Sequence, residues 1–169
     1  TNRGGAGLYG KLPKGLIVPD DERVVPDLPQ RKGLDNIVEP LRSLAVEIDT
    51  LILDPDNARV HPERNKEAIK QALCLYRQCS PLVVQRKTKH IIVGNGRSEV
   101  AKDLGWSHVA AIFVDLTDAE AAAYGLADNR SAELAKWNFE VITRLDRLIQ
   151  EQTGSSQMVG WTMAELIVF

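Results

Sequence analysis

An apolar, β-forming run, His90-Ile91-Ile92-Val93, passes directly into Gly94-Asn95-Gly96-Arg97. Ser98-Glu99-Val100-Ala101-Lys102-Asp103-Leu104 follows, with the spacing of a short helix. A strand that must become a helix within four residues constrains this chain more than any other feature. It needs glycine where the backbone turns sharply. It also needs a second layer on which strand and helix can bury their apolar faces, so an α/β arrangement is expected. Gly105 stands where a left-handed residue ends a helix.

The surrounding sequence supplies the other elements. Val46, Ile48, Leu51 and Ile52 suggest a short strand that runs into the turn-forming Asp54-Pro55-Asp56-Asn57. Ala68, Ile69, Ala72, Leu73 and Tyr76 recur at helical spacing and predict an amphipathic helix over about 63–77. Pro81-Leu82-Val83-Val84 reads as a strand and Lys87-Thr88-Lys89 as a polar turn, so 81–93 forms a hairpin. Val109–Val114 is a further strand. Thr117-Asp118-Ala119-Glu120 is a capping box, which predicts a helix through Ala121 to Leu126. Asn138 caps another helix, with Val141, Ile142, Leu145, Leu148 and Ile149 inward. A second box, Thr162-Met163-Ala164-Glu165, opens a last short helix.

Residues 1–43 read differently. Residues 1–40 hold five of the eight prolines and six of the twelve glycines, with little periodicity, and suggest an extended or disordered arm. The expected organisation is therefore an arm over 1–43, one α/β domain over 44–135, and a helical appendage over 136–169. With 169 residues the chain suffices for one such domain. A net charge of −2 provides no global field for nucleic acid, so any DNA contact must come from a local patch or a partner. Cys74 and Cys79 do not form a metal-binding pair, and two cysteines suit a reducing compartment. No run is apolar enough to span a membrane. A cytoplasmic protein is expected.

The glycine loop carries the chemistry. A helix N-terminus presents unpaired N–H groups and a partial positive charge. Glycines let a ligand approach the backbone, and an arginine can grip two phosphate oxygens at once. Gly94, Gly96 and Arg97 thus suit an anion. Gly-Asn-Gly would equally serve as a tight turn, and Arg97 as a surface ion pair. The loop lacks the spacing of a Walker A loop and the third glycine of a dinucleotide fingerprint. Two polar clusters, Asp54–His61 and Ala127-Asp128-Asn129-Arg130, are read as lying just outside regular elements, where binding residues often sit. Each could instead only shape a turn or cap a helix.

In order, these pieces resemble the ParB N-terminal domain family, which shares its fold with sulfiredoxin. The resemblance runs from about Leu44 to Arg130. Leu53-Asp54-Pro55-Asp56-Asn57-Ala58-Arg59 is similar to the block before the family's first helix. Ser80-Pro81-Leu82-Val83-Val84-Gln85-Arg86 is similar to the block that lines base and sugar, and Gly94–Ser98 to the phosphate block. Ala127–Arg130 is similar to the block that closes over phosphates and metal. The resemblance implies a small mixed-sheet domain that binds a nucleoside triphosphate, CTP or ATP, with magnesium. The implied phosphate and nucleotide residues are Asn57, Arg59, Gly94, Asn95, Gly96, Arg97, Ser98, Asn129 and Arg130. Pro81, Val83 and Arg86 would line base and sugar, and Asp128 with Asn129 would hold the metal.

Departures from the pattern narrow this. Sulfiredoxins carry a cysteine where Asn95 stands, so sulfinic-acid repair is not expected. The partitioning proteins carry a glutamate there, and an amide is a poorer magnesium ligand than a carboxylate. Residues 131–169 are too short for their helix-turn-helix region. The run Ala127–Trp137, with Val159–Leu166, resembles instead a phage and mobile-element subgroup in which the domain often precedes a DNA methyltransferase. The resemblance implies a nucleotide-dependent homodimer, a fused or partner methyltransferase, and weak, salt-sensitive DNA binding. A slow nucleotide triphosphatase is one expectation for activity. Alternatives are a nuclease using Asp54, Asp56 and Asp128, a small-molecule kinase with His61 or Asp128 as base, and a degenerate protein-interaction module.

Overall fold

The computed structural model describes residues 28–154, 159–162 and 165. Five strands form one mixed sheet: β1 (Ala45–Glu47), β2 (Ile52–Leu53), β3 (Leu82–Gln85), β4 (His90–Val93) and β5 (His108–Val114), in the order β1-β5-β3-β4-β2. β3 and β4 are the expected hairpin, antiparallel with Val83 opposite Val93. β5 returns parallel to β3, with Leu82 opposite Ala111. Four α-helices complete the domain: α1 (Glu63–Tyr76), α2 (Asn95–Asp103), α3 (Asp118–Leu134) and α4 (Phe139–Thr153).

α2 is the crossover that a parallel β3–β5 pair needs. Its Val100 and Ala101 join Leu82, Val84, Ile91, Val109 and Trp106 in the core, all at most 8% exposed. Each large aliphatic side chain buried in this way contributes on the order of 1.5–3 kcal/mol. α1 packs on α2 through Leu73, and α3 packs on β4. Glycine frames the start of α2. Gly94 has φ 101° and a Cβ there would meet Leu82 Cδ2 at 2.5 Å, so neither the turn nor the packing admits a side chain.

Several expectations need correction. The single strand over 46–52 is two strands at opposite edges of the sheet, joined by a 3-10 turn over Ile48–Thr50. Ile48 and Leu51 are both buried. Residues three apart share one side of a 3-10 turn and fall on opposite faces of a strand, so the spacing fits the turn. Part of the arm is folded as well. Gly33–Asn36 and Glu39–Leu44 are 3-10 turns, and Ile37 between them is fully buried. Their proline and glycine content concealed a segment whose backbone bonds go to Gln78: Gln78 N donates to Asn36 O and Val38 N to Gln78 O. Residues 1–27 of the expected arm lie outside the described residues.

α2 begins at Asn95 rather than Ser98, so only Gly94 is loop. The Thr117–Glu120 capping box is formed, and its hydrogen bonds from Thr117 hold the Glu120 carboxyl below its ordinary range. α3 does not stop at Leu126. It runs through Gly125 to Leu134 and takes Ala127–Arg130 into its body, because no proline interrupts it and helix formers such as Ala132, Glu133 and Leu134 follow. Asn138 caps α4 through Val141 N as expected. The buried face of α4 is Ile142 and Asp146, while Leu145 and Leu148 are exposed. A broad apolar stripe marks a face without saying which edge of it meets the domain.

The second capping box is present too: Thr162 N donates to Glu165 Oε2 and Glu165 N to Thr162 Oγ1. The rest of the helix expected there lies outside the described residues. Arg64 of α1 donates to both carboxylate oxygens of Glu165, at 2.8 and 2.7 Å, and Trp161 meets Trp137 edge to face at 5.3 Å. The Arg64 bonds, with those of Thr162, hold the Glu165 carboxyl down at about 2. A depressed carboxyl stabilises the attachment above the ordinary carboxylate range, and that contribution is lost as pH falls through about 2. Tryptophan emission is therefore expected to shift across this acid range in the wild type. Glu165→Gln should be shifted already at neutral pH and lack the acid step.

Candidate anion-binding site

Three of the four sequence blocks meet in one cleft of about 330 Å³. α2 contributes Asn95, Gly96 and Arg97, with Gly94 ahead of them. The turn before α1 contributes Asn57, Arg59 and His61, and α3 contributes Asp128 and Asn129. Ile69, Ile92 and Val93 form the apolar floor. The long α3 is what brings Asp128 and Asn129 over the glycine turn, so the body of a helix does what a loop was expected to do.

The N-terminus of α2 opens into this cleft. The first intrahelical bond is Ser98 N to Gly94 O, and no side chain caps Gly94. The amides of Asn95, Gly96 and Arg97 therefore have no carbonyl of their own helix to bond. Beside them lies Arg97, whose Nη1 donates to Ser80 O at 2.9 Å. Burial pushes the guanidinium below its ordinary value, and the Asp128 carboxylate opposes that. Among the described residues Arg97 makes no ion pair. A partly desolvated cation with no ion pair among the described residues, next to open amides and a helix dipole, is an arrangement that an anion completes.

The other expected residues divide. Asn95 is 8% exposed and its amide is used within the fold. Nδ2 donates to Ile91 O at 2.8 Å, and Oδ1 accepts from Asp54 N at 2.9 Å. It ties the turn after β2 to the glycine bend. Asn57 shapes its own turn by accepting from Arg59 N and donating to Arg59 O. Arg59 reaches α3, donating to Asn129 O and pairing with Glu133 at 3.1 Å. Arg130 also pairs with Glu133, at 3.0 Å, and does not line the cleft. Ser98 is fully buried behind it, with no partner for Oγ among the described residues.

The strand block is placed less favourably. Arg86 follows β3 at the end opposite Ser80. It pairs with Asp115 at 3.0 Å, donates to Phe113 O and lies over the Phe113 ring. A local carboxylate has taken this cation, so it is not in the cleft. Pro81 and Val83 do not line it either. Asp54 Oδ1 accepts from Asp56 N and so shapes its turn. Among the described residues no three His, Cys, Asp or Glu side chains are grouped to hold a metal ion. No helix among them is long and apolar enough to cross a membrane.

Ile69, Ile92 and Val93 line the cleft and Ser80 holds Arg97 without having been among the expected nucleotide residues, and His61 was expected only as a candidate kinase base. Ser80 acts through its backbone carbonyl, which no side-chain pattern signals. His61 lines the cleft against Gly96; its place in a polar turn just before a helix was its only signal.

Comparison with known proteins places the fold. No family model and no curated protein matches the sequence. Among solved structures, the C-terminally truncated chromosome-partitioning protein ParB from Caulobacter crescentus, complexed with CTP-γ-S, superposes with a TM-score of 0.59. It is 19% identical, over 73% of this chain and 69% of that one. The same protein complexed to the centromeric parS site gives a TM-score of 0.44 at 19% identity, over 73% and 64% of the two chains. A Pnob8-like ParB-N domain gives 0.45 at 19% identity, over 65% and 48%. The five-stranded mixed sheet with its helices is thus the fold of a ParB N-terminal domain.

Proposed function

We propose that this chain is a ParB-like nucleotide-binding module that takes a nucleoside triphosphate by its phosphates and works beside DNA, in the cytoplasm, for a phage or mobile element. One observation carries the reading: Arg97, partly buried and without an ion pair among the described residues, stands beside the open N-terminus of α2. CTP ranks ahead of ATP because a protein of the same fold is complexed with a CTP analogue. Magnesium would be held by phosphate oxygens with Asp128, since one carboxylate plus substrate phosphates is a common magnesium environment. Asn129 is the second candidate. Asn95 is an unfavourable one, with its amide oxygen already bonded to Asp54 N.

The phosphates would rest on the amides of Asn95, Gly96 and Arg97, with the Arg97 guanidinium alongside. DNA contact would be weak and salt-sensitive for this chain alone, given its net charge of −2. A homodimer formed on nucleotide binding and a fused or partner methyltransferase are part of the same proposal.

Calorimetric titration of CTP, ATP and GTP, with and without magnesium, tests it. One nucleotide should bind. Arg97→Ala should weaken it by roughly tenfold to a hundredfold, the value of a charge-assisted hydrogen bond. Binding by none of the three, or an Arg97→Ala chain that binds like wild type, would overturn the proposal.

A further inference from the structure

We infer that His61 is a direct ligand of the anion taken by this cleft, contacting it through Nε2 as an imidazolium; the inference rests on the nucleotide reading above. The geometry begins at Gly96. A Cβ there would stand 2.7 Å from His61 Cε1 and 2.9 Å from each ring nitrogen, so the imidazole lies on the first turn of α2, in space that only glycine leaves. The ring is held from the other side by α1, where Nδ1 is 2.7 Å from Asn65 Oδ1. An amide oxygen can only accept, so Nδ1 carries the proton of the neutral ring and Nε2 is left with a lone pair.

A lone pair does not attract an anion. A proton added at Nε2 turns the ring into a charged donor, and the only source for it is solvent, because the Nδ1 proton is engaged by Asn65. Three other charged side chains line the cleft: Arg59 from the turn before α1, Arg97 from α2 and Asp128 from α3. Ile69 of α1 and Ile92 of β4 do not titrate. Without ligand the cleft holds two cations and one carboxylate, and Glu133 already pairs with Arg59. A bound polyphosphate makes that balance negative. Anion binding and proton uptake at His61 are therefore coupled, and affinity falls as pH rises.

The test is calorimetry of the whole chain with CTP and with inorganic triphosphate, each in two buffers of different ionisation enthalpy, which counts protons taken up. Wild type and His61→Gln are compared, with thermal unfolding to show that both fold. His61→Gln should bind about tenfold more weakly and take up fewer protons than wild type. Equal affinity and equal uptake would overturn the inference while leaving the nucleotide reading intact. So would a loss of affinity with unchanged uptake, which assigns the ring to packing on Gly96. Binding of triphosphate without CTP would remove base recognition and still decide the role of His61. A wild-type chain that binds neither removes both proposals.

Discussion

Gln78→Ala is expected to destabilise the chain by about 3–5 kcal/mol. Gln78 is 3% exposed and works as a substitute for a strand. Its Oε1 accepts from Ala110 N at 2.6 Å and its Nε2 donates to Ala110 O at 2.8 Å, so one side-chain amide pairs with β5 before β3 begins. Nε2 also donates to Ser80 O. Its backbone meanwhile binds the segment around Ile37. Truncation would leave a buried N–H and a buried C=O of Ala110 without partners, each costing about 1–3 kcal/mol, and would add a small cavity. Against a total stability of about 5–15 kcal/mol, the loss should lower Tm by about 6–20 °C, at roughly 2–4 °C per kcal/mol. Thermal and urea unfolding check it. A Tm within a few degrees of wild type would mean that water replaces the amide, and would remove the proposed role of Gln78.

Gly94→Ala is the second large effect, and it strikes stability and binding together. The backbone at φ 101° costs an L-residue about 1–2 kcal/mol. The new methyl would then stand 2.5 Å from Leu82 Cδ2, in fully buried surroundings, and 3.2 Å from Arg97 Nη2. Overpacking of that kind typically costs a further 1–3 kcal/mol. A total of about 3 kcal/mol is expected by denaturant unfolding, together with weaker nucleotide binding because Arg97 must move. Gly105→Ala separates the contributions. Its φ is 73° but nothing lies within 4 Å of the added carbon, so only the backbone cost of about 1 kcal/mol should appear. Equal losses in the two variants would show that Leu82 does not crowd the position.

The cleft was legible in the sequence to the extent that its parts are local. Gly94 sits between a strand and a helix and Gly96 in the first turn of that helix, and the polar turns that flank them are readable from composition. Their assembly was less so. Asp128 and Asn129 were read as loop residues, and they reach the cleft because α3 runs on to Leu134. Arg86 and Arg97 look alike as sequence, each a basic residue following a short apolar strand. One is neutralised by Asp115, the other donates to a backbone carbonyl, and nothing near either residue announces the difference.

Features that neighbouring residues control were readable from the chain alone. These are the hairpin, the two capping boxes, the Asn138 cap, the glycine bend and the helical spacing of α1. The reason is that backbone preference and capping act over a few residues. The tertiary structure alone decided which polar groups are already engaged and which still face the cleft. Arg97 finds Ser80 17 residues away, Asn95 finds Asp54 41 away, and Arg59 finds Asn129 70 away. A long polar side chain takes whatever partner packing brings within reach. Packing is set by the burial of Leu82, Val84, Ile91 and Val109 rather than by the polar residues whose chemistry it arranges.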